Sequence, residues 1–453
     1  LRSRNSAQLW WSLLRKELRE LTASRSYWLL LLIVGALVGH AFITATTSYA
    51  EASGAGGGPA ALSQGLNPLS GIVVPTFGAY DLAAMLLFPF VVIRLIAAEQ
   101  ETGALMLMLQ APVSFRAVIA AKGVALIVGW LVAFAPGVIA LAWWCAMHGH
   151  LYASEVALVV LGHLLRGMVT IGIGATAGAL ASSAASAAIV ALAVTLGSWA
   201  LDYAAAARGG VLQRFAAYTP ATALRVFEQG ELRANTVVVM LLIGVGGLAV
   251  AAEWLRVGRP LVRRAVGVGV VGSFAAVLAF GASQLRASYD LSEDQRNSFS
   301  PADDGALNGI HEPLVVTAYL AAEDPRLTDL ERGVWSKLRR ALPDVRIVYA
   351  AKGRSGLFER PADHYGEVWY ALGAKRAMTR SATEEIVLET IYDVAGIPAP
   401  TSRDAATYPG YPLAAVPQHA SLVFFVVWPI LVAIAWWWLR RKPVGSRLNL
   451  SNA

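Results

Sequence analysis

The chain has one cysteine, Cys145, in 453 residues, only 15% charged residues and no long run of like charge. A single thiol excludes an intrachain disulfide and a Cys-X-X-Cys redox pair. So little charge, beside 56% hydrophobic residues and a positive mean hydropathy, excludes an ordinary soluble domain. Catalytic signatures are missing too. No G-x-x-x-x-G-K-[ST] loop is present to cradle phosphates, nor an H-E-x-x-H, a G-x-S-x-G or a Cys/His set at zinc spacing. The chain cannot hydrolyse ATP by the P-loop route, and its residues give no positive sign of an enzyme site or a cofactor. Met147, His148 and His150 offer thioether and imidazole of the kind copper accepts, but no carboxylate or second thiol completes a metal set.

What is present is apolar length. Stretches sufficient to cross a bilayer core as a helix fall at Tyr27–Thr46, Leu82–Ala98, Ala117–Met147, Val156–Ala181, Ala185–Tyr203, Thr236–Trp254, Ala265–Leu285 and Ser421–Leu439. The expectation is an α-helical polytopic membrane protein of eight spans. Basic residues are retained on the cytoplasmic side. Arg15, Lys16, Arg19 and Arg25, then Arg116 and Lys122, then Arg256, Arg259, Arg263 and Arg264, and finally Arg440, Arg441 and Lys442 share one side only with eight spans and both termini in the cytoplasm. Residues 47–81, 205–234 and 286–420 then lie outside. The 286–420 segment holds 15 basic and 19 acidic residues, a net of −4, leaving +11 for the rest of a chain whose total is +7. Membrane topology explains that sign, and no nucleic-acid partner is implied. Trp143, Trp144, Trp199, Tyr203, Trp428 and Trp436–Trp438 lie near span ends and read as interfacial anchors.

Residues 1–26 read as an amphipathic helix in the cytoplasmic interface, with Trp10, Leu13, Leu14, Leu18 and Leu21 on one face and the charges on the other. A signal peptide is the rival reading, because S-Y-A-E-A follows the first span; the long preceding segment carrying Glu17 and Glu20 argues against it. Residues 51–75 are rich in Gly, Ala, Ser and Pro and read as a loop. At Arg286 the composition shifts sharply. Pro313–Ala321, Asp344–Ala350, Gly366–Leu372 and Arg376–Thr379 read as strands, the last two joined through Gly373. Thr328–Ala341 reads as a helix, and a second follows Ser381; Thr328 with Glu331 and Ser381 with Glu384 have capping-box spacing. This order implies a small extracytoplasmic α/β domain over 286–420, compatible with a thioredoxin-like core, although no Cys pair is available for disulfide chemistry. Residues 256–285 form a basic cytoplasmic loop and the seventh span, and 421–453 the eighth span and a tail.

Between spans two and three lies R-L-I-A-A-E-Q-E-T-G-A-L-M-L-M-L-Q-A-P-V-S, Arg94–Ser114. A short cytoplasmic helix carrying Leu105, Met106, Met108 and Leu109 exposes apolar surface that fits a groove on a partner. Arg94 pairing with Glu101, or Glu99 with a basic group of the N-terminal helix, would brace the junction; Lys122 opens the next span. His163 and Arg166 fall in the fourth span, where they either line a cavity for an anionic substrate or mark the outer interface of a span that begins late. His40 reads as a packed histidine.

The segment E-Q-E-T-G-A-L-M-L-M-L-Q-A-P-V-S followed by Lys122 resembles the first cytoplasmic loop of type-2 ABC transporter permeases. R-K-E-L-R-E-L at Arg15–Leu21 is similar to that family's elbow helix. Pro220, Thr222–Leu224, Glu228 and Gly230 resemble its loop between spans five and six. Ala104, where Thr is common, and Met106 and Met108 depart from the family's pattern without breaking the helix periodicity. In the second half, D-L-S-E-D-Q-R-N-S-F-S-P, Asp290–Pro301, and H-E-P-L-V-V-T-A-Y-L, His311–Leu320, resemble the start of the outer domain in the auxiliary component of gliding-motility-type ABC transporters, here much shortened. Residues 9–255 carry the first resemblance and 265–440 the second. Together they imply a six-span permease domain over 27–255 with a fused auxiliary domain, in a bacterial inner membrane, with no enzyme activity of its own. The implied partners are a cytosolic ABC ATPase dimer that binds ATP and Mg, a second permease subunit, identical or not, and a periplasmic or outer-membrane protein. The implied docking residues are Glu99, Glu101, Thr102, Gly103, Leu105, Met106 and Leu109, braced by Arg94 and Lys122. Export and conformational work on an outer partner are both consistent with that machine.

Overall fold

In hydrocarbon every backbone amide must be satisfied within its own segment, which selects helices. The computed structural model describes residues 2–55, 67–101, 115–208, 216, 218–256, 258–285, 287–321, 324–350, 364–400, 411, 413 and 417–441. Among these are eight helices long and apolar enough to cross a membrane. Spans 1–8 run Arg25–Ser53, Leu69–Ala97, Ala117–Ala146, Ala153–Leu180, Ala184–Ala205, Ala234–Trp254, Leu261–Ser283 and Ala420–Arg441. The chain is a polytopic helical membrane protein.

Two boundaries differ from the hydropathy reading. Span 1 continues past Thr46, with Tyr49 and Ala50 buried, and span 2 starts at Leu69 rather than Leu82, with Leu69, Ile72, Val73, Phe77 and Tyr80 buried. Pro75, Gly78 and Asp81 depress the hydropathy of a segment that packs as core. The outer loop expected over 47–81 is therefore mostly helix. Span 3 bends at Phe134, where Pro136 opens its second piece, Ala135–Ala146.

Packing in the bundle is led by small residues, as expected where lipid competes for every apolar face. A Cβ on Gly172 would meet the Gly244 carbonyl oxygen at 2.6 Å, and one on Gly247 the Gly172 oxygen at 2.4 Å, so spans 4 and 6 touch backbone to backbone. Span 8 packs on span 1: Gly35 faces the Trp428 ring and Gly39 the Phe424 ring, and Trp428 Nε1 donates to the Leu31 carbonyl. Trp428 is thus a packing residue, not an interfacial anchor. Trp144 is likewise fully buried, edge-on to Tyr49, its Nε1 donating to the His150 carbonyl. Trp199 and Tyr203 are exposed, as anchors would be, and so is His40, which was expected to be packed. Span 7 buries only Ala282.

Among the described residues, further helices lie outside the spans. The N-terminal helix α1, Arg2–Ala23, lies at the end of the bundle where span 2 finishes and span 3 starts, the elbow end. Helix α2, Pro220–Glu228, is capped by the Thr219 hydroxyl and packs on span 4, with Phe227 against Gly162. Strand β1, Glu231–Arg233, follows and pairs antiparallel with β2, Ser288–Asp290, at the opposite, domain end.

Beyond β2 lies the α/β domain. Helix α3, Pro301–Leu307, missed by the sequence reading, is capped by Ser300. Strands β3 (Leu314–Ala318), β4 (Val345–Tyr349), β5 (Val368–Leu372) and β6 (Lys375–Thr379) form a sheet of order β4-β3-β5-β6. The β3–β4 pair is parallel, and β3–β5 and β5–β6 are antiparallel. The four predicted strands are all present, the first three trimmed by two to four residues and the last longer by Lys375. Helical pieces Pro325–Asp329, Leu330–Val334 and Trp335–Ala341 run on as α4, and α5 is Glu384–Ala395. Both helices pack on one sheet face, where Leu314, Val316, Ala318, Val368, Tyr370 and Leu372 meet Trp335, Leu338, Val387 and Ile391. The capping boxes are displaced. The cap of α4 is Asp324, whose carboxylate accepts from Arg326 N; α5 begins after Thr383, whose N–H is taken by Ser381 Oγ. Much of the expected tether 398–418 lies outside the described residues.

Candidate coupling site

A charge among apolar helices persists only with a partner, and among the described residues the buried charges on or against the spans form three clusters. The first is at the elbow end. Leu14, Glu17 and Leu21 form the buried stripe of α1, so Glu17 lies at the centre of the face expected to be apolar. Its carboxylate meets Lys122 Nζ at 2.8 Å, and the same ammonium donates to the Leu95 carbonyl at 3.0 Å. Lys122 and Glu17 are both essentially inaccessible. One charge pair therefore joins the elbow helix, the last turns of span 2 and the first of span 3. Tyr27 adds a bond from its hydroxyl to the Gly129 carbonyl. Lys122, read from the sequence as a brace of the docking segment, has Glu17 and the Leu95 carbonyl as its partners. Arg94 is exposed. Glu99 and Glu101 end the helix of span 2 with side chains outside the described residues, where Thr102, Gly103, Leu105, Met106 and Leu109 also lie. The brace thus stands on both helices that lead into the expected docking segment.

The second cluster is inside the bundle. Arg166 Nε donates to Asp81 at 3.2 Å, and its Nη2 lies 2.9 Å from the Met85 sulfur. One turn away, His163 is completely buried among Phe77, Tyr80 and Phe134, at ring separations of 5.5–5.9 Å, and neither ring nitrogen has a hydrogen-bond partner. Span 4 begins at Ala153, so both residues lie well inside it and not at its outer interface. Neither lines either of the two described cavities, and the guanidinium expected to await an anion is bound to Asp81. Glu228 at the end of α2 stands near the pair. Burial, with Asp81 close by, pushes its carboxyl up to about 7 against the pull of Arg225 and Arg166.

The third cluster is at the domain end and centres on the loop 290–298. Asp290 folds that loop: its carboxylate accepts from the Ser292 N–H and hydroxyl, from the Asn297 N–H and amide, and from the Ser298 hydroxyl. Burial raises the Asp290 carboxyl, but these donors outweigh it and hold the group below its ordinary value. The folded loop reaches back to the bundle. Arg296 Nη2 meets Glu155 at 3.2 Å, and the Glu293 N–H donates to the same carboxylate at 3.1 Å. The Glu293 carboxylate takes His150 Nε2 at 2.9 Å and the Tyr411 hydroxyl at 2.7 Å, with the His150 and Tyr411 rings stacked. Arg340 of α4 bonds Glu231 of β1 at 2.5 Å and the Asn297 carbonyl. His150, weighed as a metal ligand, is thus a contact of the domain. Among the described residues no group of three or more His, Cys, Asp and Glu is placed to hold a metal.

Glu17, Asp81, Glu155 and Glu231 do not stand out in the sequence as site residues. Asp81 carries a usable signal, as a lone carboxylate flanked by apolar residues that span 4 answers with Arg166. The loop carries another, since Asp290–Pro301 is dense in residues that accept and donate to backbone. Taken together, the clusters couple elements mechanically at both ends of one bundle. No protein-family model matches this chain, and no curated protein matches it.

Proposed function

We propose that this chain is a permease subunit of a type-2 ABC transporter whose work is delivered to its outer domain. In this reading a separate cytosolic ATPase dimer binds ATP and Mg and presses on Glu101–Gln110, between spans 2 and 3. The elbow end faces the cytoplasm of a bacterial inner membrane, and residues 286–420 face outward. The chain pairs with a second permease subunit. The order β4-β3-β5-β6, with one parallel and two antiparallel pairings and both helices on one face, supports a thioredoxin-like domain that binds a protein partner.

The observation that carries the reading is the Glu17–Lys122–Leu95 junction. It ties α1 to spans 2 and 3 where the docking segment departs, so a push there is shared by three elements and moves them as a rigid body. The Asp81–Arg166 pair favours conformational work over export, because it closes the position where a substrate anion would bind. The chain is then the transmitting subunit, not the enzyme. The test is co-purification from native membranes. An ATP-binding subunit is expected with the wild type and is lost with Leu105→Asp, and ATP turnover should respond to an outer protein. A complex without any ATP-binding subunit, unchanged by Leu105→Asp, would leave a scaffold. Turnover stimulated by a small amphiphile alone would favour export.

A further inference from the structure

A crevice of about 150 Å³ opens between α2, span 4 and span 6. Its walls divide by chemistry. Val169, Ala223, Val226, Val239 and Met240 are buried and form an apolar floor, while Thr222, Arg233, Asn235 and Thr236 stand at the mouth. On span 6 the lining residues Asn235, Val239, Met240 and Ile243 share one helix face. From Asn235 to Ile243 that face runs roughly 12 Å at about 1.5 Å per residue. Ordered water needs two or more polar partners, which such a floor does not supply.

The mouth is charged. Glu231 is buried between Arg233 and Arg340, at 2.7 and 2.5 Å, and Arg340 also faces Asp304 of α3, so the cation that reaches this crevice is Arg233. Arg233 holds Glu231 through Nε and Nη2 only, its side chain is 38% exposed, and it lines the crevice. It also immediately precedes span 6, the level at which head groups begin.

We propose that this crevice binds an anionic phospholipid, with the phosphate on the exposed edge of Arg233 beside Asn235 and one acyl chain along span 6 toward Ile243. An apolar slot of helix-face length with the exposed edge of Arg233 at its mouth matches an amphiphile with a negative head. Arginine recognises phosphate through paired N–H donors, and a zwitterionic lipid would fill the slot without satisfying the charge. The lipid would wedge α2 against span 6, next to the strand pair that carries the outer domain. The inference needs only that the spans cross a bilayer and does not depend on a partner ATPase.

The test uses the full chain in neutral detergent with a phosphatidylglycerol carrying a photoactivatable diazirine in its acyl chain, cross-links being mapped by peptide mass spectrometry. Cross-links are expected within 220–226 and 234–243. Unlabelled phosphatidylglycerol should compete about fivefold better than phosphatidylcholine, the size of one partly exposed ion pair, and inorganic phosphate should not compete. Ala223→Phe should remove the cross-links by filling the floor, and Arg233→Gln should abolish the head-group preference while leaving their positions unchanged. Cross-links spread evenly over all spans in the wild type, equal competition by phosphatidylcholine, or full competition by inorganic phosphate would each overturn the proposal.

Discussion

The two ends of the bundle are both held by charge, but in opposite ways. At the elbow end one dry ion pair, Glu17–Lys122, joins three elements, and both groups are out of reach of water. At the domain end the load is divided among at least four part-exposed contacts, namely Arg296–Glu155, His150–Glu293, Arg340–Glu231 and Asn297 to the Gln229 carbonyl. A dry buried pair transmits displacement without slack, but losing Lys122 leaves the buried Glu17 only the part-exposed Lys16. A distributed and partly wet set tolerates losses one at a time and lets its parts shift. The elbow end is therefore the stiff end and the domain end the compliant one, a division that suits force entering below and spreading above.

The largest expected effect tests the stiff end. Lys122→Ala takes the buried cation from Glu17, leaving beside it only the part-exposed Lys16 at 3.2 Å, and should cost up to about 3–5 kcal/mol, read as a fall in the midpoint of thermal unfolding in detergent. Combining Lys122→Met with Glu17→Leu replaces the pair by apolar bulk and should recover most of that loss. If the double variant is as unstable as the single one, the junction matters for packing rather than for charge, and the contrast between the ends fails.

The next effect lies between the ends, on α2. The folded Glu228 carboxyl sits near 7, above its ordinary 4.5, so the folded state holds this proton more tightly than the unfolded chain does. The stability it contributes is complete below the ordinary value and is lost as pH rises through about 7. Glu228→Gln, which cannot ionise, should remove that part of the pH dependence and leave the protein more stable than wild type at pH 8 by roughly 1–3 kcal/mol. Parallel stability profiles for the two proteins from pH 5 to 8 would show that Glu228 is paired elsewhere.

How much of this is legible in the sequence depends on whether the signal is local. Eight spans follow from apolar length, and β3 to β6 from β-branched and aromatic runs closed by turns, because both patterns need only neighbours in the chain. Hydropathy misplaces the start of span 2 because Asp81 depresses it locally, and the Arg166 that accommodates this carboxylate is 85 residues away. Glu17 reads with the solvated charges of α1 for the same reason, although its position is on the apolar face, since its partner is 105 residues on. Trp428 and Trp144 resemble anchors because indole favours interfaces, yet Gly35 and the bend after span 3 provide pockets that no local pattern announces. The expected docking residues Thr102 to Leu109 rest on the apolar pattern and on the resemblance, both read from the sequence, and lie outside the described residues.

The smallest effect tests the compliant end. Arg296→Gln removes the bridge to Glu155 but leaves the Glu293 N–H on the same carboxylate, Arg340 on Glu231, and His150 with Tyr411 on Glu293. Both partners retain some contact with water, so the expected cost is about 1 kcal/mol or less, with the unfolding midpoint hardly moved. What should change is local: amide hydrogen exchange across 288–300 should quicken while that of spans 1–3 stays as in wild type. A fall in global stability as large as that of Lys122→Ala would make the domain end as brittle as the elbow end. Unchanged exchange would mean that Asp290 alone holds the loop, since its five donors are all internal to residues 290–298. Either result would move the compliance of the molecule away from this loop, and the route from span 4 to the outer domain would then have to run through α2 and β1.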